Sequence, residues 1–314
     1  MDLSRYFGGG GPSSHRGLKA VIIGSGTAVP DPDRANASQA IIIDDEILLF
    51  DCGERTTVNL VKAGVNPVHF VDELFFTHLH RDHMSDYGYF VTTSWICGRR
   101  KPLKVFGPPG TRQMSDAMIY GAFKPEVDFI KSYIRALPPH ITNRPEIDPP
   151  IEVQDVGPSF LHRTDRYTVI AGEVEHHQRC GMPSFGYRVE CQYGVIAISG
   201  DTRPCKTMID LADGADLLIH DAAFLDEIIE ERQMWSHSGP SGAGKVAREA
   251  GVKKLVLTHL GPYDSAPAAV EMASMFYGPR RGPRVWEEML ADAAKHYKGP
   301  VLLAADGLVI EVGD

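Results

Sequence analysis

The chain has no cysteine pattern of a disulfide scaffold. Its five cysteines, Cys52, Cys97, Cys180, Cys191 and Cys205, are odd in number, widely spaced and without a Cys-x-x-Cys pair. They read as reduced thiols of a cytoplasmic protein. The segment from Met1 to Arg16 is polar and Gly/Ser-rich and lacks the apolar stretch of a secretory signal. No apolar run approaches the length of a membrane span, so no membrane partner is expected. Positive charge is also short: 32 Lys and Arg against 41 Asp and Glu leave a formal net charge of -9. That balance argues against a surface that coats nucleic acid and leaves only the option of a local basic groove. Short-period repeats and low-complexity core segments are missing. What remains is an ordinary globular composition, 43% hydrophobic and 23% charged over 314 residues, enough to bury a substantial core.

Residues 1–17, with Gly8 to Ser14 reading GGGGPSS, form an expected flexible leader, and structure should begin near Leu18. Ala20 to Ile23 is a short apolar run ended by Gly24-Ser25-Gly26, as a buried strand entering a turn would be. QAIIIDDEILLFDCG then reads as a hairpin turning at Asp44-Asp45-Glu46. Helical spacing follows from Glu54 to Ala63, stopped by Gly64. Glu73 to Thr77 is a strand running straight into His78, and Leu103 to Phe106 is another. The stretch 111–166 is irregular, Pro-rich and partly helical, and reads as a lid insertion with Phe123, Phe129, Tyr133 and Ile134 available to line a pocket. The competing reading is a helical pair packed on the domain or on a second copy of the chain in a homodimer. Strands are expected at Tyr167 to Val174, Phe185 to Val189, Val195 to Ser199, Leu217 to His220, Lys254 to Thr258, Val301 to Ala304 and Leu308 to Val312. Helices are expected at Lys206 to Ala212, Ser241 to Ala250, Pro267 to Met275 and Arg284 to Tyr297. Strands interleaved with amphipathic helices and no obvious linker predict a single layered α/β domain over 18–314.

The stretch Thr77-His78-Leu79-His80-Arg81-Asp82-His83 places three imidazoles and a carboxylate within six residues at the end of a strand. Borderline metals such as zinc take N and O donors at this spacing. If the strand geometry persists one step, His78 and His80 share a face, with Asp82 and His83 on the following turn. A solvated loop with Asp82 as a helix cap is the bland alternative. Against it stand three further donors at later strand ends: His176 or His177, Asp201 in ISGDTRP, and His259 in LVLTHLGP.

These residues carry a resemblance. THLHRDH, preceded by GSGTAVPDPDRANAS and DCGE, is similar to the metallo-β-lactamase superfamily, nearest its ribonuclease-Z-like branch, with arylsulfatase and β-lactamase relatives. PSFGYRVE, SGDTRPC, GADLLIHDAAF, WSHSGPSGAGKVAREAGVKKLVLTH and GPVLLAADGLVIEV extend the match from Leu18 to Val312. The resemblance implies an αββα sandwich with the metals at one edge. It implies that His78, His80 and His176 hold one ion, that Asp82, His83 and His259 hold the other, and that Asp201 bridges them. His176 is preferred over His177 because Tyr167 to His176 fits the family strand without a gap. The implied cofactor is two Zn2+, with Mn2+ or Fe as alternatives. The implied activity is hydrolysis by a hydroxide formed between the ions, with Asp82 and His237 as candidate catalytic residues. His237, in WSHSG, matches a ribonuclease Z histidine that touches the scissile phosphate; a plain helix N-terminus is its bland reading.

Weaker candidates remain. His220 ends a buried strand and reads as structural. Asp51 in DCGE is a candidate to orient a ligand histidine, or a simple turn residue. The glycines of GSGT fit no phosphate-cradling pattern, and Arg99-Arg100-Lys101 matters for anionic substrates only if it lies near the metal edge. Two departures from ribonuclease Z stand out. The long arm that grips tRNA between the GYR and GDT motifs is missing, because Val189 to Ser199 alone fill that interval. Arg55 also stands where the family has a glycine. The expected substrate is therefore a phosphodiester, either a small molecule or a nucleic-acid end, with a β-lactam, lactone or aryl sulfate ester as the alternative. A degenerate, non-catalytic binding subunit is the reading from outside enzymology, and the filled ligand positions speak against it.

Overall fold

The computed structural model describes residues 16–68, 70–137, 148–177 and 180–313. Apart from Arg16 and Gly17, the expected leader lies outside them, as do residues 138–147 of the expected lid. Two seven-stranded sheets face each other. The first holds β1 (Leu18–Gly24), β2 (Ser38–Ile43), β3 (Glu46–Phe50), β4 (Val71–Phe75), β5 (Leu103–Gly107), β6 (Ile151–Asp155) and the C-terminal β14 (Val309–Val312), in the order β14-β1-β2-β3-β4-β5-β6. The second holds β7 (Leu161–Arg163), β8 (Tyr167–Glu173), β9 (Phe185–Cys191), β10 (Gly194–Ile198), β11 (Leu217–Asp221), β12 (Leu255–Thr258) and β13 (Val301–Leu303), in the order β13-β12-β11-β10-β9-β8-β7.

Strand parity explains the layering. Leu18, Ala20 and Ile22 of β1, with Ile41, Phe50 and Phe75 of its neighbours, meet Tyr187, Val189 and Ile196 in a core between the sheets. The alternate residues Val21, Ile23, Leu49 and Leu74 face outward onto helices. Both faces of each sheet are thus apolar, which is why the strands read as continuous hydrophobic runs. Helices α1 (Thr56–Lys62), α3 (Tyr87–Ile96), α4 (Thr111–Ala117) and α5 (Lys124–Ala136) contribute Leu60, Phe90, Trp95, Met114 and Val127 to the outer face of the first sheet. Helices α6 (Lys206–Leu211), α7 (Asp226–Arg232), α8 (Pro240–Glu249), α9 (Pro267–Tyr277) and α10 (Arg284–His296) cover the second. The short α2 (Arg81–Met84) follows β4. The architecture is the αββα sandwich anticipated from the sequence.

The stretch 111–166 is more than helical insertion. It also supplies edge strands β6 and β7, one to each sheet. Phe123 packs against Gly88, while Phe129 and Tyr133 stack on each other and are largely exposed. Between the sheets, Glu73 is a buried polar residue. It shares the inward face of β4 with Phe75 and is met by His162 Nε2 at 3.0 Å, Tyr167 Oη at 2.8 Å and Lys104 Nζ at 3.3 Å. Three donors around one buried carboxylate satisfy it and tie the two sheets together. No helix among the described residues is long and apolar enough to cross a membrane.

Candidate metal centre

Strands β3, β4, β8, β10, β11 and β12 all deliver polar residues from their C-terminal ends to one edge of the sandwich. β4 stops at Phe75, so Thr77 to His80 lie outside the ladder; His80 has extended dihedrals (φ -67°, ψ 149°) before α2 begins. This short extension puts His78 and His80 side by side, and the single turn of α2 swings Asp82 and His83 toward a second position. Close approach is needed to bring the next loops in. At Gly53 a Cβ would stand 2.1 Å from the Asp82 carbonyl oxygen, and at Gly200 one would stand 2.8 Å from Thr77 Cβ. Asp51 (φ 60°) and His259 (φ 58°) hold left-handed backbone conformations, strain of the kind that surrounding structure must enforce.

Two donor sets result, with Asp201 between them. His78 Nε2 lies 2.9 Å from His80 Nδ1, and His176 Nε2 lies 3.2 Å from that same atom. Asp201 Oδ2 is 3.8 Å from His78 Nε2 and 3.9 Å from His176 Nε2. On the other side His259 Nε2 is 3.2 Å and His83 Nε2 3.6 Å from Asp82 Oδ2, and Asp201 Oδ1 is 3.4 Å from His83 and 3.6 Å from His259. Tetrahedral ligation with bonds of about 2.0–2.1 Å separates donors by roughly 3.3 Å, close to these spacings. His177 packs against His176 with the rings tilted by 56° and their centroids 4.1 Å apart, but joins neither set.

The outer hydrogen bonds settle which ring nitrogen faces inward. Asp51 accepts from His83 Nδ1 at 2.8 Å, and from the Thr77 backbone N–H and hydroxyl at 2.8 Å each. With its hydrogen given to Asp51, Thr77 Oγ1 accepts from His78 Nδ1 at 3.0 Å. The Ser236 carbonyl accepts from His176 Nδ1 at 2.8 Å. Each partner fixes the tautomer that leaves an Nε2 lone pair pointing into the centre. His83 Nε2 is buried with no hydrogen-bond partner, an unsatisfied acceptor aimed into the centre. The donor sets therefore fit divalent cations.

Electrostatics agree. Burial, then neighbouring His83, pushes the His78 imidazole well below its usual range, and burial brings His176 down to about 4. Burial opposes charge on His83, yet Asp201, Asp51 and Asp82 outweigh it, so this position calls for positive charge. Asp82 and Asp201 are held below the ordinary carboxylate range despite burial, Asp82 mainly by His83 and Asp201 mainly by His259 and His83.

His237 lies beside this arrangement, its Nδ1 2.9 Å from Asp221 Oδ2 and 3.9 Å from Asp201 Oδ2. It could be grouped with Asp201 and His259 as a third donor set. Its Nδ1 is committed to Asp221, which leaves Nε2 as the nitrogen to meet a ligand. Burial again opposes charge, but Asp221, Asp201 and Asp82 raise His237 to about 9. Asp221 was not singled out from the sequence. It also accepts from the backbone of Thr202 at 3.1 Å and Ala223 at 2.9 Å, and the one hint was a carboxylate closing a buried apolar strand. His220 is fully buried, with Nδ1 on the Asp221 carbonyl at 2.8 Å, consistent with a structural residue.

Other candidates fall elsewhere. Ser25 donates through N–H (3.0 Å) and hydroxyl (2.8 Å) to Asp306, and its carbonyl accepts from Leu260 at 2.8 Å, so GSGT backs the His259 turn. Arg99 is buried in the connection between α3 and β5, its guanidinium on the Val71 carbonyl at 2.6 Å, at the opposite end of the strands from the metal edge. Arg55 has φ 68°, the conformation that a glycine would adopt freely, and its guanidinium holds the carbonyls of Asp31 at 2.8 Å and Pro32 at 3.0 Å. All five cysteines are free.

Known proteins resemble this chain in sequence and in fold. The sequence matches the beta-lactamase superfamily domain over residues 47–260. It is 30% identical to ribonuclease Z of Myxococcus xanthus, over 94% of this chain and 98% of that one. It is 32% identical to ribonuclease Z of a Mycobacterium species (strain KMS), over 78% and 85% of the two chains. Among solved structures, the metallo-β-lactamase fold protein YhfI from Bacillus subtilis superposes with a TM-score of 0.68 at 21% identity, covering 94% and 98% of the chains. The short form of human tRNase Z does so with 0.67 at 22%, covering 94% and 100%.

Proposed function

The chain belongs to the metallo-β-lactamase superfamily, in its ribonuclease-Z-like branch, and is a metallo-hydrolase of phosphodiester bonds; on that premise we propose a dinuclear centre acting on a small phosphodiester or a nucleic-acid end. His78, His80 and His176 would hold one ion, Asp82, His83 and His259 the other, and Asp201 both. Imidazole-rich donor sets with few oxygens suit zinc, with manganese or iron as alternatives. When bound, two such ions supply an ionised water near neutral pH and polarise a phosphoryl oxygen. The residues do the rest. Asp51, Thr77 and Ser236 keep the imidazoles in the ligating tautomer. His237, clamped by Asp221, presents its remaining N–H to the phosphoryl group, a contact whose loss typically costs about 10²–10³ in kcat.

Substrate size follows from β9 and β10. They pair through Cys191 and Gly194 across a turn of Gln192 and Tyr193 alone, so no arm projects between them. Ribonuclease Z relatives bring RNA as a substrate class. Without that grip, the reading favours a short end or a small ester over a folded tRNA.

The observation that carries this proposal is the convergence of six donor residues on two sides of Asp201. Elemental analysis of gently purified protein should find close to two transition-metal ions per chain. Asp201→Ala should abolish hydrolysis of bis(p-nitrophenyl) phosphate and release at least one ion; full activity in that variant would remove the bridge from the scheme. Turnover of a cephalosporin, lactone or aryl sulfate with no phosphodiester cleavage would sink the substrate assignment.

A further inference from the structure

Beside the metal edge opens a cavity of about 1090 Å³, and next to it a second of about 340 Å³. Trp235, Arg203 and His237 line both, so they form the wall between them. Trp235 is 54% exposed, a large aromatic left in solvent next to the candidate centre.

Its loop is pinned on both sides. The preceding helix ends at Gln233 in the left-handed conformation (φ 54°), and Met234 N–H returns to the Ile229 carbonyl at 3.1 Å. Immediately after Trp235, the Ser236 carbonyl accepts from His176 at 2.8 Å and His237 is held by Asp221 at 2.9 Å. The indole therefore starts from a fixed backbone, and an aromatic held ready loses little entropy when a ring is laid on it. Charge narrows the occupant. The larger cavity carries the carboxylates of Glu173 and Glu175, and its Arg203 is already paired, Nε to Glu175 at 2.6 Å. A second phosphate would be repelled there. A neutral, planar, hydrogen-bonding group would not.

We propose that Trp235 is a stacking platform for the nucleobase of a nucleoside esterified to the scissile phosphate, and so determines specificity; this rests on the phosphodiesterase reading above. The indole face takes the base, the larger cavity takes the nucleoside, and the phosphate lies at His237. Base–aromatic stacking sets the size of the effect, about 5- to 150-fold on removal of the ring.

Two esters with one leaving group isolate it: the p-nitrophenyl ester of thymidine 5′-monophosphate, and methyl p-nitrophenyl phosphate. The wild-type protein should prefer the thymidine ester in kcat/KM. Trp235→Ala should shrink that ratio about 5- to 150-fold, and Trp235→Phe should keep most of it. An unchanged ratio in Trp235→Ala overturns the platform. Fluorescence quenching by adenosine 5′-monophosphate, present in wild type and lost in Trp235→Phe, reads binding without turnover. Quenching without hydrolysis of either ester sinks the phosphodiesterase reading and keeps the platform. Hydrolysis of both esters, with no quenching and no change of ratio, does the reverse. A dinucleotide p-nitrophenyl ester cleaved faster than the thymidine ester would identify a strand end as the source of the base, and the opposite order a free nucleotide; both support the platform when Trp235→Ala weakens them.

Discussion

Replacing Asp51 by Asn tests the tautomer argument with little change in shape. Asp51 is fully buried and holds φ 60°, a conformation that Asn accepts as readily as Asp, so backbone strain is not increased. The carboxylate accepts the Thr77 N–H on one oxygen, and the Thr77 hydroxyl and His83 Nδ1–H on the other. An amide cannot accept on both sides. If its oxygen keeps the Thr77 N–H, its NH2 faces His83 and drives the imidazole proton to Nε2, the atom aimed into the centre. If it flips, two donors face each other where water cannot reach. The first arrangement disables a ligand; the second leaves unsatisfied groups that cost about 1–3 kcal/mol. Loss of such an orienting partner typically weakens metal binding about 10- to 100-fold, or roughly 1.4–2.7 kcal/mol. Competition titration of the variant against a chromogenic chelator should show one ion weakened by that factor, the one assigned to Asp82, His83 and His259, and the other nearly unaffected. Wild-type affinity for both ions would refute the claim that Asp51 sets the His83 tautomer.

The remaining expectations concern ligand choice, strain and buried charge. His176→Ala should lose an ion while His177→Ala keeps both, because only His176 places a nitrogen within the donor set; equal metal content in the two variants by elemental analysis would misplace the third histidine. Arg55→Gly should relieve about 1–2 kcal/mol of left-handed strain and forfeit two guanidinium–carbonyl bonds of similar size. Its melting temperature should therefore stay within a few degrees, about 2–4 °C per kcal/mol at most, while limited proteolysis near Asp31 quickens; a much larger loss of stability would show the guanidinium to be a principal anchor. For Glu73, burial raises the pKa but His162, Tyr167 and Lys104 outweigh it, so the folded-state value is lowered. A lowered carboxylate stabilises the fold above its unfolded value of about 4.3, and that contribution is lost as pH falls through the folded value. Glu73→Gln should thus cost about 1–3 kcal/mol in denaturant melts at pH 7, with the gap narrowing at acid pH; an equal gap at both would mean that charge is not what the site uses.

Several elements were hard to see in one dimension for identifiable reasons. β7 has three residues, and β6 is an edge strand with a single buried position, so neither shows an alternation to detect. α3 buries most of its surface, and a helix apolar nearly all round has no stripe. Arg55 looked like an unexplained departure until its backbone angle and the two carbonyls it holds were seen together.

By itself the sequence determined the alternation of apolar strands with helices, the α/β class and the donors at the strand ends. Those signals are local: parity along a strand, spacing along a helix, and three imidazoles and a carboxylate within six residues of one another. Only the tertiary structure decided the partners. Asp51 reaches His83 across 32 positions and Asp221 reaches His237 across 16. It also decided that His176, not His177, points inward and that Trp235 stands in the wall between two cavities. A carboxylate at a strand end looks the same whether it caps a turn or orients a ligand. The difference is made by which loops the sheet order brings to the same edge, and that order is a sum of long-range pairings no short window contains.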